Sequence, residues 1–337
     1  MKDEIITLSH GSGGIESYNL IQDIFYENFA NEELMQSGDS SILNKINSRI
    51  ATTIDGFVVD PVFFHGGDIG RLSICGTVND LSVSGAKPLY INASFIIEEG
   101  FEISSLRKIV KSMADTAKIA KVKIVAGDTK VVERRKCHKI YIATSGIGEF
   151  EKDKNILNAK SIISGDKIIL SGTIGDHGAC IMSLRDNLCI ENNIKSDCAP
   201  LNNLCEDILN CSENIRIMRD PTRGGLANTL NELALLSNKS MKIYENKIPI
   251  KEEIKDFCEL LGLDPMYIAN EGKLICIADK NDAERVLQIM RKNPLGKDAE
   301  IIGEVIDDDK KSVYMETLLK STKKLSMAKG ELLPRIC

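Results

Sequence analysis

Four aspartates stand in closely related settings: Gly38-Asp39-Ser40, Ile54-Asp55-Gly56, Asn79-Asp80-Leu81 and Gly127-Asp128-Thr129. Carboxylates gathered in one cleft repel one another unless a cation lies between them, and hard oxygen ligands suit Mg2+. The same Asp-Gly pairs also mark ordinary turns. Lys130, two residues after Asp128, could hold phosphate oxygens or polarise a carbonyl. Glu271, within Ala269-Asn270-Glu271-Gly272-Lys273, is either a solvated turn carboxylate or a general base tuned by its neighbours. Arg219 and Arg223, beside Gly224-Gly225 at a strand-to-helix turn, offer a phosphate seat; alternatively Asp220 or Thr222 simply caps the helix that follows. In His10-Gly11-Ser12-Gly13-Gly14 the backbone of Gly11, Ser12 and Gly13 can wrap an anion, or form a plain flexible loop; the run matches neither the Walker pattern nor G-x-G-x-x-G. The last candidate is Cys337, a thiol with nothing after it to bury it. Eight extended residues from Gly330 reach roughly 25 Å, enough to carry that thiol into a cleft. A prenylation box is excluded because its Cys stands fourth from the end.

The elements that must position these residues follow from periodicity. Apolar runs at 50–54 and 122–125 predict strands, so the carboxylates are expected at strand ends. Helices are predicted over 15–29 and 104–121, the second burying Leu106, Ile109, Val110, Met113 and Ala117. Strands are predicted over 90–97 and 140–147, and the polar stretch 150–160 reads as a linker. Beyond it come strands at 167–170, 214–218, 274–278, 300–305 and 312–316, and helices at 201–209, 226–236, 251–261 and 282–292. The run 326–333 reads as an arm that orders on demand. Asp176 and His177 are expected to shape a glycine turn.

Length and composition narrow the class. A chain of 337 residues, 43% hydrophobic and 27% charged, fits two globular domains. A formal charge of −6 without a long basic block argues against nucleic acid, and no apolar run approaches the ~20 residues of a membrane span. Acids near the N-terminus argue against a signal peptide, so the expected location is the cytoplasm. The ten cysteines include no C-x-x-C and are expected to be reduced.

In this order, His10-Gly11-Ser12-Gly13-Gly14, Gly76-Thr77-Val78-Asn79-Asp80-Leu81, Gly127-Asp128-Thr129-Lys130-Val131-Val132, Arg219-Asp220-Pro221-Thr222-Arg223-Gly224-Gly225, Ala269-Asn270-Glu271-Gly272-Lys273 and Pro334-Arg335-Ile336-Cys337 span nearly the whole chain. They resemble the HypE family of hydrogenase-maturation carbamoyl dehydratases. That family belongs to the superfamily of aminoimidazole-ribonucleotide synthetase, thiamine-monophosphate kinase and selenophosphate synthetase. The resemblance implies an α+β fold of two α/β-layered domains of the aminoimidazole-ribonucleotide synthetase type. Residues 1–150 would bind ATP and Mg2+ and dimerise, 151–306 would form a C-terminal α+β domain, and 307–337 a strand and mobile tail ending in Cys337. It further implies a homodimer, a carbamoyltransferase partner HypF that loads Cys337, and a HypC–HypD complex whose iron receives the cyano group. By the family pattern, metal and phosphate bind at Asp39, Asp55, Asp80 and Asp128. Nucleotide contacts fall to Gly11, Ser12, Gly13, Asn79, Arg219 and Arg223, while Lys130 and Glu271 act near the tip of the tail. One departure is Ser40-Ser41, where the family more often has alanine after the aspartate.

The implied chemistry is ATP-dependent dehydration of an S-carboxamide on Cys337 to a thiocyanate. A carboxamide oxygen leaves only once phosphorylated, Lys130 can stabilise charge on that oxygen, and Glu271 can accept a proton. Two other classes stay open: a kinase or synthetase acting on a free small molecule, and a non-catalytic carrier of a carbamoyl or cyano group.

Overall fold

The computed structural model describes residues 4–36, 38–151, 156–185, 193–308 and 310–329. Cys337 and the preceding Pro334, Arg335 and Ile336 lie outside the described residues.

Where the glycine-rich loop ends at Gly14, one continuous helical run begins: α1 (Ile15–Leu20), a π-helical turn (Ile21–Tyr26) and α2 (Glu27–Phe29). Ile24, Phe25 and Phe29 are buried and Ile21 sits at the boundary. β1 (Ile50–Phe57) follows, then the two-residue strands β2 (Phe63–Phe64) and β3 (Gly67–Asp68). Helix α3 (Ile69–Val83) starts where the Asp68 carboxylate accepts the N–H groups of Gly70 at 2.7 Å and Arg71 at 3.0 Å. Thirteen of its fifteen residues are buried, so it has no polar face. Without a polar face there is no 3.6-residue period to read, and no helix was predicted over this segment. Those small residues allow close packing: a Cβ on Gly76 would lie 2.8 Å from the Phe57 ring.

β4 (Lys87–Glu98), α4 (Ile103–Ala120), β5 (Lys123–Val132) and β6 (Ile140–Glu149) complete the first domain. α4 buries the five residues its periodicity selects and ends at Lys121, whose φ of 58° is a left-handed cap. The sheet runs β1-β6-β4-β5, antiparallel except for β4 beside β5, which is the pair that α4 connects. α3 and α4 pack together, and α3 lies against β1 and β6.

The second domain contains, in order, β7 (Lys167–Leu170), α5 (Asp176–Arg185), α6 (Asn202–Cys211), β8 (Ile215–Arg219), α7 (Gly225–Ser237), β9 (Ser240–Tyr244) and α8 (Glu252–Leu261). β10 (Ile275–Ala278), α9 (Ala283–Lys292), β11 (Glu300–Ile306), β12 (Val313–Glu316) and β13 (Thr322–Leu325) complete it. Its sheet order is β13-β12-β9-β11-β7-β10-β8, with β12 and β9 the parallel pair. Side chains alternate across it: Ile168, Leu170, Ile275 and Ile277 pack with α7, while Ile169, Cys276 and Ala278 pack with α6 and α9. Both faces are covered, which explains unbroken apolar runs such as Ile275-Cys276-Ile277-Ala278.

Several expectations change. β9 and β13 were not predicted; β13, Thr-Lys-Lys-Leu, has a single apolar residue to signal it, yet Leu325 is buried in the core. Asp176 and His177 do not shape a turn but open α5, fully buried, with Asp176 2.5 Å from Lys251 Nζ. The carboxylates are not at strand ends: Asp55 and Asp128 lie inside β1 and β5, Asp80 lies on α3, and Asp39 is in a loop.

Candidate functional site

The two domains meet along α3. Arg71, Cys75 and Asn79 recur every four residues on one face of that helix. Arg71 Nε donates to Cys198 O at 2.9 Å, and Asn79 Nδ2 donates to Ala199 O at 3.1 Å and to Glu271 O at 3.2 Å. Asn79 Oδ1 accepts the Leu201 N–H at 2.8 Å. Asn79 is buried with its amide committed on both sides, holding the second domain and the Glu271 turn against α3.

That turn is fixed from several directions. Asp197 accepts the N–H groups of Glu271 and Gly272, both at 3.1 Å, and lies 3.5 Å from Lys273 Nζ. Asn270 accepts the Gly175 N–H at 2.7 Å and donates through Nδ2 to Pro221 O at 3.1 Å. Glu271 is therefore not a solvated turn residue: it is 3% exposed. Burial pushes its carboxyl well above the ordinary range, reinforced by Asp220, Asp197, Asp55 and Cys75.

Asp55 and Asp220 act on it directly, and Asp80 acts on Asp220 in turn. Asp80 is raised chiefly by burial; the Thr53 hydroxyl, 2.8 Å from its Oδ2, opposes this, Asp55 adds to it, and Arg219 and Arg223 draw it down. Asp220 is pushed up to about 6 by burial and by Asp80. It caps nothing: α7 begins at Gly224, φ 72°, without a side-chain cap. Arg223 Nη2 lies 3.6 Å from Asp55 Oδ1, and Arg219 pairs with Glu232 at 2.9 Å.

A second group lies elsewhere. Asp39, Asp128 and Lys130 line a cavity of about 390 Å³ with His10, Gly11 and Gly13, backed by apolar side chains such as Phe25. Ser12 is exposed in the same loop, its hydroxyl donating to Ser9 O at 2.9 Å. Asp128 is held below the usual carboxylate range first by its bond to Lys130, at 2.7 Å.

The sheet register separates the two groups. Asp55 pairs with Thr144, whose side chain is buried against Thr77 of α3, so Asp55 faces α3. Asp128 pairs with Ser94, between buried Ala93 and Phe95, so Asp128 and Lys130 face away from α3. β1 and β5 are the two edges, three strand spacings or about 14 Å apart. Within one chain the four aspartates do not meet at one ion, and Lys130 does not meet Glu271. Among the described residues no three His, Cys, Asp or Glu side chains group tightly enough to hold a metal alone. Mg2+ bound with nucleotide needs only one or two carboxylates beside phosphate oxygens, which the Asp55 and Asp80 pair can supply.

Sequence reasoning missed Asp197 and the role of Asp220. Asp197 sits in Lys195-Ser196-Asp197-Cys198, where nothing in spacing marks it. Asp220 was in view, but only as a cap.

The architecture is that of the AIR-synthase-related proteins. Residues 38–150 match the family described as AIR synthase related protein, N-terminal domain, and residues 164–316 match its C-terminal domain. A carbamoyl dehydratase HypE of Bradyrhizobium diazoefficiens is 47% identical over 338 residues, covering 100% of this chain and 97% of that protein. A crystal structure of the hydrogenase maturation protein HypE in complex with ATP superposes with a TM-score of 0.94 at 43% identity, covering 98% of this chain and 99% of that one. A crystal structure of a HypE–HypF complex matches with a TM-score of 0.81 at 47% identity, covering 92% and 99%. The chain belongs to the HypE family of carbamoyl dehydratases, enzymes of hydrogenase maturation.

Proposed function

We propose that this enzyme dehydrates an S-carboxamide carried on Cys337 to a thiocyanate, at the domain junction that holds Glu271, Asp220, Asp55 and Asp80. The observation that carries the reading is the Glu271 carboxyl: buried, raised by its surroundings, and fixed by bonds to the backbone on both sides of it. A solvated structural acid needs none of this, whereas a proton-transfer group needs all of it.

The balance of the reaction is one carboxamide and one ATP giving one thiocyanate, ADP and phosphate. The carboxamide oxygen attacks the terminal phosphorus and ADP departs. The nitrogen then loses its two protons, one to Glu271 and the other to the phosphate oxygen that leaves as the C–O bond breaks and the C≡N bond forms. Asp55 and Asp80 would hold Mg2+, which supplies positive charge to the phosphates when bound. Arg219 and Arg223 would hold phosphate oxygens, and Glu271 would accept a proton from nitrogen. Burial, then Asp220, Asp197 and Asp55, raise the Glu271 carboxyl, and positive charge held between the carboxylates would oppose the part those neighbours contribute, favouring the form that accepts a proton. Gly11, Ser12, Gly13, Asp39 and Asp128, on the other face of their own sheet, would meet the nucleotide held at the junction of a second copy.

The working unit in this reading is a homodimer. Ile50 and Ile54 on β1 and Ile96 on β4 are exposed on the sheet face that carries Asp128 and Lys130, and β1 and β5 are the edge strands of the sheet among the described residues. A second copy packed on this face covers the apolar strip and is the source of the Lys130 that reaches Glu271. A relative solved in complex with HypF supports HypF as a partner; in this reading HypF is the carbamoyltransferase that loads Cys337, and a HypC–HypD complex would accept the cyano group. Among the described residues no helix is long and apolar enough to cross a membrane, in keeping with cytoplasmic work.

Coupled nucleotide assays test the reading. ADP release should require carbamoylated Cys337 and vanish in Cys337→Ser, since serine lacks the nucleophilicity to be loaded. Undiminished, substrate-driven ATP turnover by Cys337→Ser on a free small molecule would replace it with a kinase.

A further inference from the structure

After β12 the chain turns back as β13, pairing Thr322 with Glu316 and Leu325 with Val313. Leu325 is 1% exposed and ends this strand in the core under α7. The residues beyond it are not simply released. Leu325 O accepts from Asn231 Nδ2 at 3.2 Å, Ser326 O accepts from the Tyr267 hydroxyl at 2.8 Å, and the Ala328 N–H donates to Asn228 Oδ1 at 2.9 Å.

Asn231 and Asn228 lie three residues apart on α7 and so on one face of it. As the chain advances from Leu325 to Ala328, its partners step backwards from Asn231 to Asn228. The segment therefore travels antiparallel to α7, towards that helix's N-terminus. From Asn228 to Gly224 is one further turn, about 6 Å. There Gly225 packs so closely on the backbone of Met266 and Ile268 that a Cβ would lie 2.6 Å from Ile268 O. Pro221 O takes both the N–H and the Nδ2 of Asn270, the residue before Glu271. The path of residues 325–328 thus points at Arg223, Asp220 and Glu271.

We propose that Asn228, Asn231 and Tyr267 form a track on the second domain that sets the direction and register of the C-terminal arm as it enters the junction. They are positioning residues: none touches the reacting atoms, and each holds backbone of the arm. The inference rests on the reading that Cys337 is modified at the junction, and extends it by naming what delivers the arm there. A docked base shortens the span the remaining residues must search and raises the effective concentration of the tip.

The test uses the full-length enzyme, carbamoylated at Cys337, in single-turnover dehydration with ATP, alongside hydrogen exchange of the peptide containing Ala328. Asn228→Ala should slow dehydration of order tenfold, with ATP affinity unchanged and exchange at Ala328 accelerated. Asn228→Asp keeps an oxygen that accepts the Ala328 N–H and should restore both. Tyr267→Phe should show a smaller loss of the same kind, and Ala328→Pro, which removes the donor, should not add to Asn228→Ala. A wild-type rate in Asn228→Ala overturns the track. If wild type shows no dehydration at Cys337, the proposed function fails instead. The track is then judged by exchange alone, and equal exchange at Ala328 in wild type and Asn228→Ala overturns it.

Discussion

Asp55 and Asp128 lie on opposite faces and opposite edges of the same four-stranded sheet. A reading of the sequence that gathers four aspartates around one ion is thereby divided: Asp55 and Asp80 lie at the domain junction, Asp39 and Asp128 at the cavity beside the glycine-rich loop. The division carries the first prediction. Asp80→Asn removes a charge that burial and Asp55 both oppose, while its amide oxygen can still accept from Thr53. The metal-free protein should melt about 2 °C higher, and the further rise produced by Mg-ATP should be largely lost. Thermal scans with and without Mg-ATP check this; an undiminished Mg-ATP shift would remove Asp80 from the metal site.

Lys130 and Glu271, apart in one chain, should complement one another between chains. Lys130→Ala and Glu271→Gln homodimers should each dehydrate at least 10²-fold more slowly than wild type. Reassembled from a mixture, half the dimers are heterodimers in which one site carries both substitutions and the other carries neither. Activity should return to about a quarter of wild type if Lys130 works across the interface. No recovery after verified subunit exchange would place both residues in one chain's site.

The pH dependence of stability should show Asp220. Its folded pKa, about 6, lies above the ordinary unfolded carboxylate value. Between about pH 4 and 6 the native state therefore binds more protons than the unfolded state, and stability falls as pH rises through that window. Above it the penalty is constant. In metal-free protein Asp220→Asn should stabilise by about 1–3 kcal/mol at pH 7 and by little at pH 4. Denaturant titrations at the two pH values check the sign; equal effects at both would mean that Asp220 is not raised.

Away from the site, Arg216 joins β8 to two acids. Its Nε lies 3.1 Å from Asp166 Oδ2 and its Nη2 3.0 Å from Asp279 Oδ2, and the Asp166 side chain is 1% exposed. Arg216→Met leaves that carboxylate buried without its cation and should cost about 3–5 kcal/mol of stability. ATP affinity of the folded fraction should not change, which calorimetry on the soluble protein would establish.

What could be read in advance depended on local pattern. α4 and β6 each expose one face, so their periods of 3.6 and 2 stood out, and the residues predicted inward on α4 are buried. α3 is surrounded on all sides, and its composition showed only smallness. Glu271 was legible as a candidate because it sits in a motif, but its burial was not, because Asp197 and Asn79 reach it from 74 and 192 residues away in the chain. Asn79 was legible as important, but its bonds across the domains were not: a buried amide between domains and an amide on a ligand leave the same letter in a sequence. β13, which adds to the second domain's sheet, was not legible because it is held by backbone pairing and by Asn231 rather than by its own apolar content.

Mass spectrometry of the C-terminal peptide tests the central claim most directly. The enzyme is first carbamoylated at Cys337, and Mg-ATP is then added. The peptide should lose one water, about 18 Da, at the rate at which ADP and phosphate appear, one of each per peptide converted. Glu271→Gln should bind ATP yet form this species at least 10²-fold more slowly. ATP consumed with no mass change on the peptide, or water lost at an equal rate without ATP, would contradict the account.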